Sequence, residues 1–212
     1  MAETPAGDWE VLFDGTDLSQ WRGYRRQGAP ASWRVEDGTL AFVPAQDRAQ
    51  RGDLVTREQF GDFELELEWR ISEGGNSGIM YRVSESEPEP WHTGPEMQVL
   101  DDERHQDGQI ASHRAGALYD LIVPPANVAR PVGEWNQVRI RVQGNRIHQW
   151  LNGQQTADVE IGSEEWNRLL AASKFSDMGT FASQSRGHIV LQDHDDPVWY
   201  RNIRIRRLDA GR

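Results

Sequence analysis

Two strings of residues hold most of the chemistry this chain could do. The first is Glu96-Met97-Gln98-Val99-Leu100-Asp101. Side chains alternate across a strand, so Glu96 and Gln98 share one face and Met97 and Val99 take the other. In a regular strand Asp101 falls on the apolar side, and it joins Glu96 only if a bulge shifts the register. The second string is Gly187-His188-Ile189-Val190-Leu191-Gln192-Asp193-His194-Asp195-Asp196. Ile189 and Leu191 point to a core, while His188, Gln192 and His194 point the other way beside Val190. Glu and Gln are poor strand formers, and imidazoles and amides donate and accept hydrogen bonds at neutral pH. The pattern describes a sheet with one apolar face and one working face.

Other candidates compete with plainer readings. His105, in the loop after the first string, is a usable acid or base near pH 7 if a carboxylate stands close; alone it is an ordinary surface residue. Glu68 shares the outward face of its strand with Glu64 and Glu66, where simple solvation is the rival. Met80 and Arg82 are opposite in phase to Ile79 and Tyr81, so either pair could face a site. Trp150 lies on an outward face with His148, and an exposed tryptophan calls for cover by a ligand or a loop. Lys174 is either a surface lysine or a cation that orients a hydroxyl or an enolate. Asp193, Asp195 and Asp196, or Asp101 with Asp102, could gather calcium or another divalent metal, but neither run has the ligand rhythm of a calcium loop. Gly75-Asn76-Ser77-Gly78 looks like a nucleophile turn but leads into a strand instead of a helix.

The elements that must position these residues are strands. Phe63, Leu65, Leu67, Trp69 and Ile71 alternate with Glu64, Glu66, Glu68 and Arg70; Val138, Ile140 and Val142 with arginines; Ile147, Gln149 and Leu151 with His148, Trp150 and Asn152. Asp37-Gly38, Gly144-Asn145 and Asn152-Gly153 are turn signals. Ser163 can cap one short helix beginning at Glu164-Glu165. Long loops run over 85–95, 102–115 and 124–131, and such loops are often functional. The expectation is an all-β sandwich, with a disordered lead at 1–8, one domain over 9–208 and a tail at 209–212.

The chain has 212 residues, a net charge of -11 and no cysteine. The charge argues against nucleic acid and anionic membrane surfaces as partners, and the missing cysteines exclude disulfides and thiolate chemistry. Nine tryptophans offer platforms for sugar rings. No apolar run approaches membrane-spanning length. The first residues lack a signal peptide's basic and apolar regions, so the expectation is a cytoplasmic protein or an exported one whose signal was removed.

The chain resembles the 3-keto-disaccharide hydrolase family. The resemblance rests on an ordered set: Leu12-Phe13-Asp14-Gly15 with Leu18 and Trp21; Trp33 with Asp37-Gly38; Gly52-Asp53-Leu54; Phe63 through Trp69-Arg70; Gly75 through Ile79 with Tyr81-Arg82; Glu96 through Asp101; Ala117-Leu118-Tyr119-Asp120; Gly133-Glu134-Trp135-Asn136; Trp150 through Gly153; and Gly187 through His194, closing on Arg201-Asn202-Ile203. One departure is Asp196-Pro197, where a glycine-bearing turn is expected. The resemblance implies a concanavalin-like jelly-roll sandwich of two antiparallel sheets, a periplasmic or secreted location, and cleavage of 3-keto-glycosides.

A ketone at C3 of a sugar acidifies the hydrogen on C2, and the enolate can expel the C1 substituent before water adds. This route needs a base, a stabilised oxyanion and an acid, not the paired carboxylates of ordinary glycosidases. The implied assignments are Glu96 and His105 for proton transfer with Glu68 in reserve; Arg82, Lys174 and His194 for the oxyanion; and Gln98, Asp101, Trp150 and Gln192 for orienting the sugar. Two alternatives stand beside it. One is a conventional glucanase-like hydrolase, although the laminarinase string Glu-x-Asp-x-x-Glu reads Glu96-x-Gln98-x-x-Asp101 here. The other is a lectin-like module that binds glycans without turnover.

Overall fold

The computed structural model describes residues 7–208, so the expectations for 1–6 and 209–212 fall outside it. Gly7 already donates its N–H to the Arg207 carbonyl at 2.9 Å.

Among the described residues thirteen strands form two antiparallel sheets. The larger has the order β11 (Gln154–Glu160), β10 (Arg146–Leu151), β9 (Asn136–Gln143), β6 (Phe63–Ile71), β13 (Val198–Arg207), β4 (Thr39–Phe42) and β3 (Trp33–Glu36), with β1 (Glu10–Phe13) also paired to β13. The smaller runs β2 (Trp21–Gly23), β5 (Leu54–Thr56), β12 (His188–Leu191), β7 (Asn76–Val83) and β8 (Glu96–Leu100). The expected turns close the hairpins: Asn152 and Gly153 both take positive φ, at 50° and 80°, the backbone that matches the twist of two antiparallel strands.

Period-two alternation places the core between the sheets. Leu65, Leu67, Trp69, Val138, Ile140, Ile203 and Ile205 from the larger sheet meet Ile79, Tyr81, Met97, Val99, Ile189 and Leu191 from the smaller. The helix α1 (Glu164–Ala171) is capped as expected, with Trp166 N–H donating to Ser163 Oγ at 3.1 Å, and it adds Trp166 to the core.

Both sheets therefore have an outer face. On the larger one the glutamates of β6 stand between arginines of β9 and β13. Glu64 binds Arg139 at 2.8 Å and Arg206 at 3.1 Å, and Glu68 binds Arg201 at 2.6 Å. Arginines also lie over tryptophans there: Arg201 over Trp135 at 4.0 Å and Arg204 over Trp9 at 4.4 Å.

Candidate functional site

The outer face of the smaller sheet is built differently. Strand register sets Val190, Met80 and Glu96 in one row, and Gln192, Gly78 and Gln98 in the next. The first row continues an apolar floor of Tyr24, Val55, Val83 and Val190, with Trp91 packed against it. Glu96 closes that floor and is 5% exposed. Its carboxyl lies across the neighbouring strand: a Cβ on Gly78 would stand only 1.8 Å from Glu96 Oε1. Glycine at 78 is thus what leaves room for the acid.

Electrostatics at this carboxyl favour the neutral form. Burial pushes Glu96 up to about 8, with Asp53 and Asp107 adding repulsion and Lys174 opposing them. Asp53 precedes β5 and accepts the Asp193 N–H at 2.9 Å. Although half-buried by area, its carboxyl is densely surrounded, and burial with the nearby Asp193 and Glu89 raises it to about 7. Next to this pair the amides are idle. Both polar side-chain atoms of Gln98 and the Oε1 of Gln192 are buried with no hydrogen-bond partner. A buried polar atom in that state costs about 1–3 kcal/mol, which invites a polar ligand to satisfy it.

Loops supply the walls. Lys174 is exposed by area, but its ammonium is ringed by aromatics, 4.4 Å from the Tyr119 ring centroid and 4.6 Å from that of Trp91. That crowding governs its charge: desolvation lowers its pKa, and Glu96, Asp120 and Asp107 resist. Tyr119 is pinned to the site because its N–H donates to the Glu96 carbonyl at 2.9 Å. Burial raises its hydroxyl pKa, with Asp107 and Glu96 adding to the effect, so the group stays protonated. His113 stacks on Tyr119 at 4.4 Å, its Nδ1 is 3.4 Å from the Tyr119 hydroxyl, and its Nε2 is 3.0 Å from Asp120 Oδ1. The other oxygen of Asp120 accepts the Lys174 N–H at 2.8 Å, so one carboxylate orients both loops.

Of the residues singled out from sequence, Glu96, Gln98, Gln192 and Lys174 come together here. His105 and His194 meet beside them, with ring centroids 6.2 Å apart. Four residues do not join. Glu68 sits on the larger sheet and is held by Arg201 and Asn202. Trp150 is on that sheet too, with Arg139 over its ring at 4.8 Å and His148 stacked at 5.6 Å. Arg82 takes φ 51° and turns to the larger sheet's end, where it binds the carbonyls of Gly61 and Gly144 and the Asp62 carboxylate. Asp101 lies past the end of β8 and clasps the loop amides of Gly74 and Glu103. His188 does face outward, but at the far end, where Thr56 O and Gln59 occupy its two nitrogens. The aspartates considered for calcium are mostly spent. Asp193 and Asp195 bind Arg51, and Asp102 accepts the Ala115 N–H.

Sequence reasoning passed over Asp53, Trp91, Asp107, His113, Tyr119 and Asp120. Asp53 and Tyr119-Asp120 stand inside two of the strings that carried the resemblance, so that signal was available. Trp91, Asp107 and His113 reach the face only through loop folding. A recess of about 860 Å³ on the larger sheet, lined by Glu66, Glu68, Arg139, Trp150 and Arg204 among others, is not this site. Its glutamates are already paired with arginines, and Arg139 and His148 already pack on its tryptophan.

Known proteins share this architecture. A profile of 3-keto-alpha-glucoside-1,2-lyase-like domains matches residues 8–206. A Bacteroides thetaiotaomicron protein named 3-keto-disaccharide hydrolase is 36% identical over 232 residues, spanning 96% of this chain and 80% of the relative. A crystal structure from Parabacteroides distasonis, provisionally described as a glycosyl hydrolase, superposes with a TM-score of 0.84 at 29% identity, over 96% of this chain and 94% of that one. A non-specific endo-β-1,3(4)-glucanase of glycoside hydrolase family 16 shares the jelly-roll fold at a TM-score of 0.54 and 13% identity, over 97% and 94% of the two chains.

Proposed function

Because this chain belongs to the 3-keto-alpha-glucoside-1,2-lyase-like domain family, we propose that it cleaves 3-keto-disaccharides and related 3-keto-glycosides by elimination followed by addition of water. The chain is a glycoside hydrolase, and its residues divide the reaction among a base, a cation and an acid.

Ionised Glu96 removes the proton on C2, and the electron pair delocalises onto the C3 oxygen as an enolate. The pair then returns to form the C1–C2 double bond while the C1–O bond breaks. The departing oxygen takes a proton from the Tyr119 hydroxyl, which His113, oriented by Asp120, replenishes. Water then adds at C1 and a proton returns to C2, so the two stages sum to hydrolysis. Lys174 supplies the positive charge for the enolate oxygen, and the idle amides of Gln98 and Gln192 take sugar hydroxyls.

One observation carries this reading. A buried, raised-pKa carboxyl lies over a glycine beside unpartnered amides and a caged lysine. A carboxylate with a folded pKa near 8 is a stronger base, once ionised, than an exposed one. The glucanase alternative loses support on the same strand, because position 98 is an amide and Asp101 is spent on backbone amides. The test is a paired assay with a 3-keto-disaccharide and its unoxidised parent. Sugar release from the keto compound alone is expected, with deuterium from solvent at C2. Release from both would select the conventional mechanism, and binding without release a lectin.

A further inference from the structure

We propose that Asp107 is a positioning residue for the acid step of the cleavage: it steadies His113 as an imidazolium, so that Tyr119 can release its proton to a departing sugar oxygen. The role rests on the elimination reading above and extends it to the class of leaving group. Asp107 Oδ2 lies 3.8 Å from His113 Nδ1, the ring nitrogen that Asp120 does not hold. Among the described residues His113 is the only ion-pair partner of Asp107.

The need for a second carboxylate follows from the hydrogen bonds of the ring. A neutral imidazole carries one N–H. His113 Nε2 is 3.0 Å from Asp120 Oδ1, and a carboxylate accepts, so in the neutral ring the single proton sits at Nε2. Nδ1 is then a bare acceptor 3.4 Å from the Tyr119 hydroxyl, and it draws the phenol proton toward itself and away from the sugar. The imidazolium reverses that bond: Nδ1–H donates to the Tyr119 oxygen, and the phenol proton turns to the substrate. Asp120 pairs with Nε2–H in either form, whereas Asp107 gains a charged partner at Nδ1 only when that nitrogen is protonated. The proton count closes. Glu96 takes the C2 proton, the departing oxygen takes the Tyr119 proton, and Nδ1 restores it. When water adds at C1, its spare proton returns through Tyr119 to Nδ1 and Glu96 gives its own back to C2.

The fold fixes Asp107 in that place. It lies in a single 3-10 turn over Gln106–Gln109, where its N–H donates to His105 Nδ1 at 3.1 Å. Gly108 lets the turn press on the start of its own loop, since a Cβ there would stand 2.1 Å from the Asp102 carbonyl oxygen. Arg114 Nε donates to the Gly108 carbonyl at 2.9 Å, and Asp102 accepts the Ala115 N–H at 2.8 Å, so the two ends of the loop are tied together. The charge of Asp107 also reaches the rest of the site, where it acts on Glu96, Tyr119 and Lys174. Its importance should depend on what leaves. A sugar alkoxide is a strong base and needs a proton to depart, whereas a nitrophenolate is stable as an anion and leaves without one. Asp107 therefore serves glycosides whose leaving group is a sugar or another alcohol.

The experiment compares Asp107→Asn with the wild type on a 3-keto-disaccharide and on 4-nitrophenyl 3-keto-glucoside, following both cleavage and solvent deuterium at C2. Turnover of the disaccharide should fall by about 10²-fold, while that of the nitrophenyl glycoside stays within about threefold. With the variant, deuterium should enter C2 of recovered disaccharide faster than the bond is cleaved, because the base still works while expulsion is slow. A structural defect would slow exchange and both cleavages together. Equal losses on the two glycosides, unchanged turnover of the disaccharide, or exchange that falls in step with cleavage would each overturn the role and leave the elimination standing. Sugar release by the wild type with no deuterium at C2 would instead overturn the elimination itself, and the role of Asp107 with it.

Discussion

The two outer faces of this sandwich carry similar residues to opposite effect. On the larger sheet Glu64 is almost fully buried, and burial works to raise its pKa, yet Arg139 and Arg206 together hold it below the usual value. On the smaller sheet Glu96 is equally enclosed, has no arginine against it, and is driven up to about 8. The larger face consumes its glutamates in Glu–Arg pairs and its arginines in Arg–Trp stacks, leaving over single nitrogens such as Arg70 Nε and His148 Nδ1, while on the smaller face both polar atoms of Gln98 stand idle beside an unpaired carboxyl. An acid-rich strand is thus no guide to a site. What distinguishes the working face is a carboxyl kept from its preferred charge next to an amide with neither polar atom partnered.

The sharpest way to break this contrast is a matched pair of substitutions. Glu96→Gln should lower turnover of a 3-keto-disaccharide by about 10²–10⁴-fold, whereas Glu68→Gln on the opposite face should leave it within about twofold of wild type. Equal losses would erase the distinction between the faces. Gly78→Ala should follow, with about 10²-fold lower turnover, because the new Cβ would take the space of the Glu96 carboxyl and displacements near 1 Å carry penalties of that size. A crystal structure of that variant should show the acid moved; an active variant with the acid in place would refute the packing argument.

The faces should also pull stability in opposite directions with pH. Glu96 has a folded pKa above its unfolded one, so its contribution is present below about pH 4.5 and is lost as pH rises toward 8. Glu64 has a depressed folded pKa, so its contribution is present above about 4.5 and is lost as pH falls through the folded value. Urea unfolding across pH should show Glu96→Gln flattening the neutral limb, by an amount on the order of a few kcal/mol, and Glu64→Gln flattening the acid limb. A smaller effect is expected at the idle amide. Gln98→Leu should raise the midpoint by about 1 kcal/mol equivalent while weakening substrate binding; a destabilised variant would mean the amide is satisfied after all. Least of all, Glu66→Gln should cost under about 1 kcal/mol, since the Glu66–Arg204 pair is largely exposed.

Much of this was legible in the chain. Alternation alone separated Glu96 and Gln98 from Met97 and Val99, and the turn pairs marked the hairpins. Parity, however, says which face of a strand a residue occupies and not which sheet the strand joins. Glu68 and Trp150 therefore looked equivalent to Glu96 until the pairing order put them on the other layer. Arg82 misled for a second reason: a bulge opposite it on β12 and a left-handed backbone swing the guanidinium away from the face its phase suggests. The glycine expected near Asp196-Pro197 is replaced in effect by Asp195, whose positive φ makes the turn. His113, Trp91 and Asp107 had no periodic signal, because loops place side chains through tertiary contacts that local spacing does not encode.

Trp91 has a practical consequence. Four of the nine tryptophans, Trp9, Trp135, Trp150 and Trp199, are stacked under arginines on the larger sheet, and Trp21, Trp33, Trp69 and Trp166 are locked in the interior. That leaves one indole beside the caged ammonium on the face that would receive sugar. Its emission should shift when a ligand draws the charge away, giving the protein a built-in optical gauge of occupancy that a Trp91→Phe exchange would silence.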